Sequence, residues 1–249
     1  MITSEFLWYV LAGFAAQLVD GSLGMAYGIT ASTVLLGFGV PPSAVSATVH
    51  AAEVFTTGAS AISHHAFGNV NRLLFRRLLP PAVIGAVLGA SFLTMIPADA
   101  IRPYFAGYLL MMGCVIVLKA FREFPPRAVT THLVPLGLLG AFLDAVGGGG
   151  WGPIVATNLI VRGNDIRETV GTVNAVEFFL AFAASVTFVL SLGLSHWPVI
   201  LGLAIGGGLA APIGAWACRR IPVKPFMILV GVLVVALSLR TILDYYGVV

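Results

Sequence analysis

Of 249 residues, 59% are hydrophobic and only 9% charged, with a mean hydropathy of +1.00. A soluble domain has about a quarter of its residues charged, so a water-soluble fold could not hide this much apolar surface. The formal charge of +3 arises from 13 basic and 10 acidic residues; set between apolar runs, the basic residues read as topology determinants and argue against a nucleic-acid partner.

Taken in chain order, the first apolar stretch, near 6–38, is too long to cross a bilayer once as a helix and too short to cross twice. Its centre is interrupted by Asp20-Gly21-Ser22-Leu23-Gly24. It lacks the basic start of a signal peptide, Glu5 being the only early charge, and is expected to belong to the fold. Stretches near 45–66, 78–96 and 103–120 each fit one crossing. The fifth, near 133–161, repeats the anomaly of the first around Asp144-Ala145-Val146-Gly147-Gly148-Gly149-Gly150, and three more crossings follow near 168–190, 197–217 and 225–243. Broken backbone is tolerated at membrane depth only where protein or a cavity covers it. Each interrupted stretch is therefore expected to form a re-entrant hairpin of two half-helices meeting at mid-depth.

This order is a duplication. Asp20, Gly24 and Gly28 recur 124 residues later as Asp144, Gly148 and Gly152, and Thr48-Val49-His50-Ala51-Ala52-Glu53 recurs as Thr172-Val173-Asn174-Ala175-Val176-Glu177 at the same spacing. Gly13 with Gly137 and Gly39 with Gly163 keep that spacing, and Gly89 with Gly214 follows after one inserted residue. The basic loops give the orientation. Arg72, Arg76 and Arg77, then Lys119, Arg122 and Arg127, mark cytoplasmic loops in the first half, whereas in the second half Arg162 and Arg167, then Arg219, Arg220 and Lys224, occupy links whose first-half counterparts are almost bare. The expected fold is an all-α membrane protein built as an inverted repeat, residues 1–124 and 125–249. Each half has one broken hairpin and three transmembrane helices, the two halves form a single membrane domain, and both termini lie outside.

Corresponding breaks in two halves point to a transporter with its substrate site between them. A half-helix starting at mid-depth presents unsatisfied N–H groups and a partial positive charge, which suits an oxyanion. Gly24, Gly28, Gly148, Gly149 and Gly150 would let backbone donors approach, and Trp151 would wall the pocket; the alternative is that the glycines serve tight helix packing. Asp20, Glu53, Asp144 and Glu177 are deep ionisable residues, which by default mark pathways or proton sites. The aspartates can equally cap half-helices, and the glutamates can hold helices together. A buried carboxyl disfavours its charged form, so it can donate a hydrogen bond or couple a proton to the anion. His50 shares a helix face with Glu53, but its counterpart is Asn174, so a hydrogen-bonding role facing the cavity is expected rather than a metal site. No cofactor is implied. His64-His65, beside Asn69 and Asn71, reads as a solvated span end. An intramembrane hydrolase built on Ser60 with His50 or His64 is disfavoured, since no Gly-x-Ser-x-Gly elbow is present. Cys114 and Cys218 read as packing residues.

These residues resemble the sulfite exporter TauE/SafE family, also called the toluene sulfonate uptake permease family. The resemblance rests on Gly147-Gly148-Gly149-Gly150-Trp151-Gly152-Pro153 and on the Thr-Val-x-Ala-x-Glu segment of each half, and covers nearly the whole chain. The first copy, Leu23-Gly24-Met25-Ala26-Tyr27-Gly28-Ile29, has fewer glycines and no proline. The resemblance implies a bacterial inner-membrane protein that exports or takes up a sulfur oxyanion or sulfonate, with lipid around it, protons as a candidate coupling ion and an oligomeric state left open. A passive anion channel remains the competing class.

The exchanged basic loops predict labelling. In a background without Cys114 and Cys218, single cysteines at Ala98 and Ser195 should react with an impermeant thiol reagent from outside, and one at Arg72 only after permeabilisation. Labelling of Arg72 and Ser195 from the same side would contradict the inverted arrangement.

Overall fold

A computed structural model describes residues 4–121, 132–193, 196–218 and 223–248. Arg122, Arg127, Ser195, Arg219 and Arg220 lie outside the described residues. The first half contains α1 (Ser4–Leu23), α2 (Tyr27–Gly37), α3 (Pro42–Ala66), α4 (Arg72–Met95) and α5 (Ala98–Lys119). The second contains α6 (Leu133–Gly147), a π-helical turn (Gly152–Ala156) leading into α7 (Thr157–Val161), then α8 (Ile166–Leu192), α9 (Trp197–Ala217) and α10 (Val223–Tyr245). No strand occurs among the described residues.

Local chemistry sets several of these boundaries. Asn71 caps α4 by accepting the backbone N–H groups of Leu73 and Leu74, at 3.1 and 3.0 Å, and Asp165 caps α8 by accepting that of Glu168 at 2.9 Å. The Asn71 cap starts α4 at Arg72 rather than near 78, so Pro80 and Pro81 fall inside the helix.

Six helices are long and apolar enough to cross a membrane: Phe6–Leu23, Arg72–Met95, Ala98–Lys119, Ile166–Leu192, Trp197–Ala217 and Ile228–Tyr245. The first broken stretch divides unequally: α1 runs unbroken for 20 residues while α2 has 11. Conversely, α3 is 25 residues long but too polar for the set: Ser46, Thr48, His50, Glu53, Thr56, Thr57, Ser60 and His64 are all buried on it. Polarity is distributed as lipid requires, with Leu7, Trp8, Ile84, Phe92, Leu190 and Leu209 exposed while Gln17, Asp20, Asp144, Asn174 and Glu177 are buried.

Both broken stretches turn back on themselves. Tyr9, Ala12 and Ala16 of α1 line one narrow cavity with Thr30, Ala31, Val34 and Leu35 of α2, so α2 runs back along α1. In the second half the Val155 side chain lies against Gly140 of α6, at positions equivalent to Ala31 and Ala16.

Packing crosses between the halves. α1 packs on α9 and α6 on α4, α3 on α8, and α5 on α10. His50 lies beside Phe188, Gly58 beside Phe178, and Ser60 bonds Asn174, so α3 and α8 run antiparallel. Gly113 against Val234 and Val117 against Gly231 show the same for α5 and α10. Lipid supplies no hydrophobic drive between helices, so small residues that admit close approach carry the association. Gly13 of α1 sits on the backbone carbonyl of Leu203 in α9, and its counterpart Gly137 in α6 sits on that of Leu78 in α4.

Because backbone opposes Gly13, a side chain there has no flexible neighbour to displace. Gly13→Leu is expected to cost at least the roughly 1–3 kcal/mol typical of overpacking. The measurement is the thermal unfolding midpoint in detergent beside the recovery of monodisperse protein; an unchanged midpoint would contradict the close approach of α1 to α9.

Candidate functional site

The two breaks are built alike. Gly24 and Ala26 in the first have φ of 69° and 100°; Gly148, Gly149 and Gly150 in the second have 65°, 146° and 143°. Ala26 stands where the second half has Gly150, so an alanine is held in a conformation that only glycine adopts without strain.

A helix ending inside a membrane leaves carbonyls that lipid cannot satisfy. Side chains supply the missing donors. His64 Nε2 donates to the carbonyl of Gly21 at 2.9 Å, Ser46 Oγ to that of Ala145 at 2.6 Å, and Ser32 Oγ to that of Gly148. Gly21 and Ala145 are equivalent positions. The returning helices are capped by the aspartates: Asp144 Oδ1 accepts the Trp151 N–H at 2.8 Å, and the Asp20 carboxyl accepts that of Tyr27, the equivalent residue.

The second carboxyl oxygens differ. Asp144 Oδ2 meets His50 Nε2 at 3.1 Å, and His50 Nδ1 donates to the Ser46 carbonyl at 2.8 Å. With Nδ1 carrying a hydrogen, Nε2 and Oδ2 share one further proton, either as imidazolium and carboxylate or as imidazole and carboxyl. His50 is thus fully buried and paired across the halves, where the sequence suggested a residue facing a cavity. Asn174 makes no matching contact with Asp20: its Oδ1 accepts Ser60 Oγ at 2.7 Å and its Nδ2 donates to the Val170 carbonyl at 3.1 Å.

Glu53 is 1% exposed, and neither of its carboxyl oxygens has a partner. Glu177 is 4% exposed with Oε2 unpartnered, and Asp20 Oδ2 is unpartnered as well. These carboxyls and Asp144 lie within electrostatic range of one another, with His50 acting on Glu53. Glu53 Oε1 lies against Gly28, as do Gly148 and Gly149 of the opposite break.

Gly149 closes directly on the backbone of Gly28 and Ile29, Gly152 on Gly24 and Met25, and Gly150 on the Tyr108 hydroxyl. Gly149 and Gly152 therefore pack backbone on backbone at the contact between the breaks, where the sequence suggested room for a ligand. Trp151 is completely buried, and its indole N–H donates to the Val173 carbonyl at 3.1 Å, so it does not wall an open pocket here.

Sequence reasoning also missed residues. Gln17 is fully buried with both amide atoms unpartnered. His64, read as solvated, is fully buried and also contacts Asn69 Nδ2 at 3.1 Å, while only His65 is exposed. The signal was available: Ser46, His50, Glu53, Thr57, Ser60 and His64 follow steps of four and three, one face of a helix. Lys119, read as a loop charge, turns its amine to the Met25 sulfur at 3.7 Å. Among the described residues, no group of three His, Cys, Asp or Glu side chains is placed to hold a metal ion.

Six apolar membrane-length helices around a buried polar centre shared by two broken hairpins define a multi-pass membrane transporter. The chain belongs to the sulfite exporter TauE/SafE family, whose model matches residues 9–241. It is 40% identical over 250 residues to the probable membrane transporter protein YtnM of Bacillus subtilis, covering 96% of this chain and 83% of the relative. It is 26% identical to the probable membrane transporter protein YdhB of the same organism, over 89% of this chain and 91% of the relative. A probable membrane transporter protein from Sinorhizobium, ORF9, is 27% identical over 94% of this chain and 91% of its own length. No solved structure matches. All three relatives are described as probable membrane transporters.

The His50–Asp144 pair predicts non-additive stability. Removing one partner of a buried pair costs about 3–5 kcal/mol, so His50→Ala and Asp144→Asn should each fall in that range, with asparagine still able to cap Trp151. The double variant should lose clearly less than the sum, as measured by reversible unfolding in mixed micelles; strict additivity would contradict the pairing.

Proposed function

We propose that this protein exports a small sulfur-containing anion, sulfite, thiosulfate or an organosulfonate, across the bacterial inner membrane by alternating access, with proton movement coupled through Glu53 and Glu177. The observation that carries the reading is the meeting of the two breaks at Gly28 and Gly149 beside the unpartnered Glu53. Two returning helices start there, each with a partial positive end. As the halves part, the N–H groups of Gly28, Ile29 and Gly152 become donors for an oxyanion, and Asp20, Gly24, Asp144, Gly148, Gly150, Trp151 and Asn174 frame them. Closure of the centre in this state favours a carrier over a passive channel.

Family membership supports the anion class, since the family is described as sulfite exporters. The antiparallel courses of α3 with α8 and of α5 with α10 support inverted repeats, because equivalent helices then cross the membrane in opposite directions. With the first-half basic loops inside, both termini lie outside.

A buried glutamate protonated for part of the cycle neutralises its own repulsion of the anion and carries the coupled proton. Glu53→Gln and Glu177→Gln keep shape and hydrogen bonding but cannot titrate. Each should still bind the anion at equilibrium yet lose the response of proteoliposome flux to an imposed proton gradient. The larger loss is expected at Glu53, which His50 faces. Wild-type gradient sensitivity in both variants would contradict the coupling, and failure of the wild type to move any of sulfite, thiosulfate or sulfonates would contradict the substrate class.

A further inference from the structure

A groove of about 630 Å³ lies at the seam between the halves, and no residue of either break lines it. Its walls are Gly58 and Ile62 of α3, Phe75 of α4, and Ala175, Phe178 and Phe179 of α8. The rings hold one another in place: Phe75 meets Phe179 edge-on with centroids 5.8 Å apart, and Phe178 meets Phe179 at 5.0 Å. Gly58 precedes Ala66, at the other end of the groove, by eight residues of helix, so the slot runs about 12 Å along α3.

An apolar slot in a membrane protein fills with hydrocarbon, and its polar end decides which molecule supplies the chain. Where α3 stops and α4 starts, His65 and Arg72 join the lining, and both are exposed. No acidic side chain lines the groove, and among the described residues the Arg72 guanidinium has no carboxylate partner. The nearby acids are turned elsewhere. Glu168 accepts the Asn71 amide at 2.8 Å, and with Asp165 it lines a separate small cavity whose arginine is Arg77. Arg76 and Arg77 follow Arg72 on α4, and no acid occupies the first turn of that helix. The mouth is therefore positive and the walls are apolar, which an amphiphile with a negative head complements at both ends. A guanidinium can take a phosphate through two parallel N–H donors, and basic pockets between transmembrane helices suit anionic lipid headgroups.

We propose that this groove binds one anionic phospholipid, with the headgroup phosphate on the Arg72 guanidinium and the His65 ring N–H and an acyl chain laid along Ile62 and the three phenylalanines. A free phosphate would use the mouth and leave the slot empty; a zwitterionic lipid would fill the slot and bring a second positive charge to the mouth. Because α3 and α4 belong to the first half and α8 to the second, the bound lipid spans the seam between them. The site does not depend on the identity of the transported anion.

The test uses the full chain in a neutral detergent, titrated with phosphatidylglycerol or with phosphatidylcholine of the same acyl chains. The thermal unfolding midpoint should rise saturably with phosphatidylglycerol, and phosphatidylcholine should need at least about tenfold more lipid for the same rise. Arg72→Gln, a change at an exposed position, should raise the half-saturating phosphatidylglycerol concentration at least about tenfold, whereas Arg77→Gln should leave it within about twofold. Ala61→Phe, which puts a ring into the slot, should also weaken phosphatidylglycerol; if that variant does not fold, the two arginine variants decide. Coincident curves for the two lipids would overturn the proposal, as would an Arg72→Gln response matching the wild type. Equal losses in Arg72→Gln and Arg77→Gln would overturn it too, since they would show only diffuse attraction to a basic surface. The same rise with inorganic phosphate alone would give the mouth to a soluble anion and remove the lipid. The response is read on protein without transported anion, so it stands apart from any failure of anion flux in proteoliposomes.

Discussion

A helix interrupted inside a bilayer exposes N–H and C=O groups that lipid cannot pair, and this protein contains two such interruptions. Much of the interior follows from satisfying them. Asp20 and Asp144 reach across their breaks to cap the returning helices, while His64, Ser46 and Ser32 supply donors to carbonyls at the helix ends. Those donors sit on neighbouring helices, so each break can be satisfied only when α3 is docked against it. The polar face that makes α3 the least lipid-like of the long helices is therefore a consequence of the breaks it serves.

Duplication supplies the frame, and divergence within it supplies the chemistry. The close approaches at Gly13 and Gly137 are kept in both halves, because both use backbone contact to hold a hairpin against a long helix. The polar centres have diverged. His50 bonds Asp144 Oδ2, whereas Asp20 Oδ2 has no such partner; the position equivalent to Gln17 is an alanine, Ala141; Ala26 endures a conformation that Gly150 adopts freely. A centre with equivalent halves and unequal contents presents different chemistry on its two sides.

Much of this was legible in the sequence. The duplicated Asp-Gly segments and the paired Thr-Val-x-Ala-x-Glu segments located both breaks and both buried glutamates, because a carboxylate inside an apolar run is costly enough to be conspicuous. Helix boundaries were less legible: the basic start of α4 looked like loop until the Asn71 cap drew it into the helix. Pairing across the halves was not legible at all. That His50 reaches Asp144 while Asn174 turns to Ser60 depends on how α3 and α8 slide against each other, which no local pattern encodes. The glycine run was readable as a break, but its closure onto Gly28 required the fold.

The central claim is that the meeting point of the two breaks is a carrier site that opens to one side at a time. Counterflow tests it most directly: proteoliposomes preloaded with unlabelled sulfite are diluted into a trace of radiolabelled sulfite, and internal label is followed over time. A carrier predicts a transient accumulation of label above equilibrium that then decays. A monotonic rise to equilibrium without overshoot, at rates well above those of empty liposomes, would contradict alternating access and leave a pore.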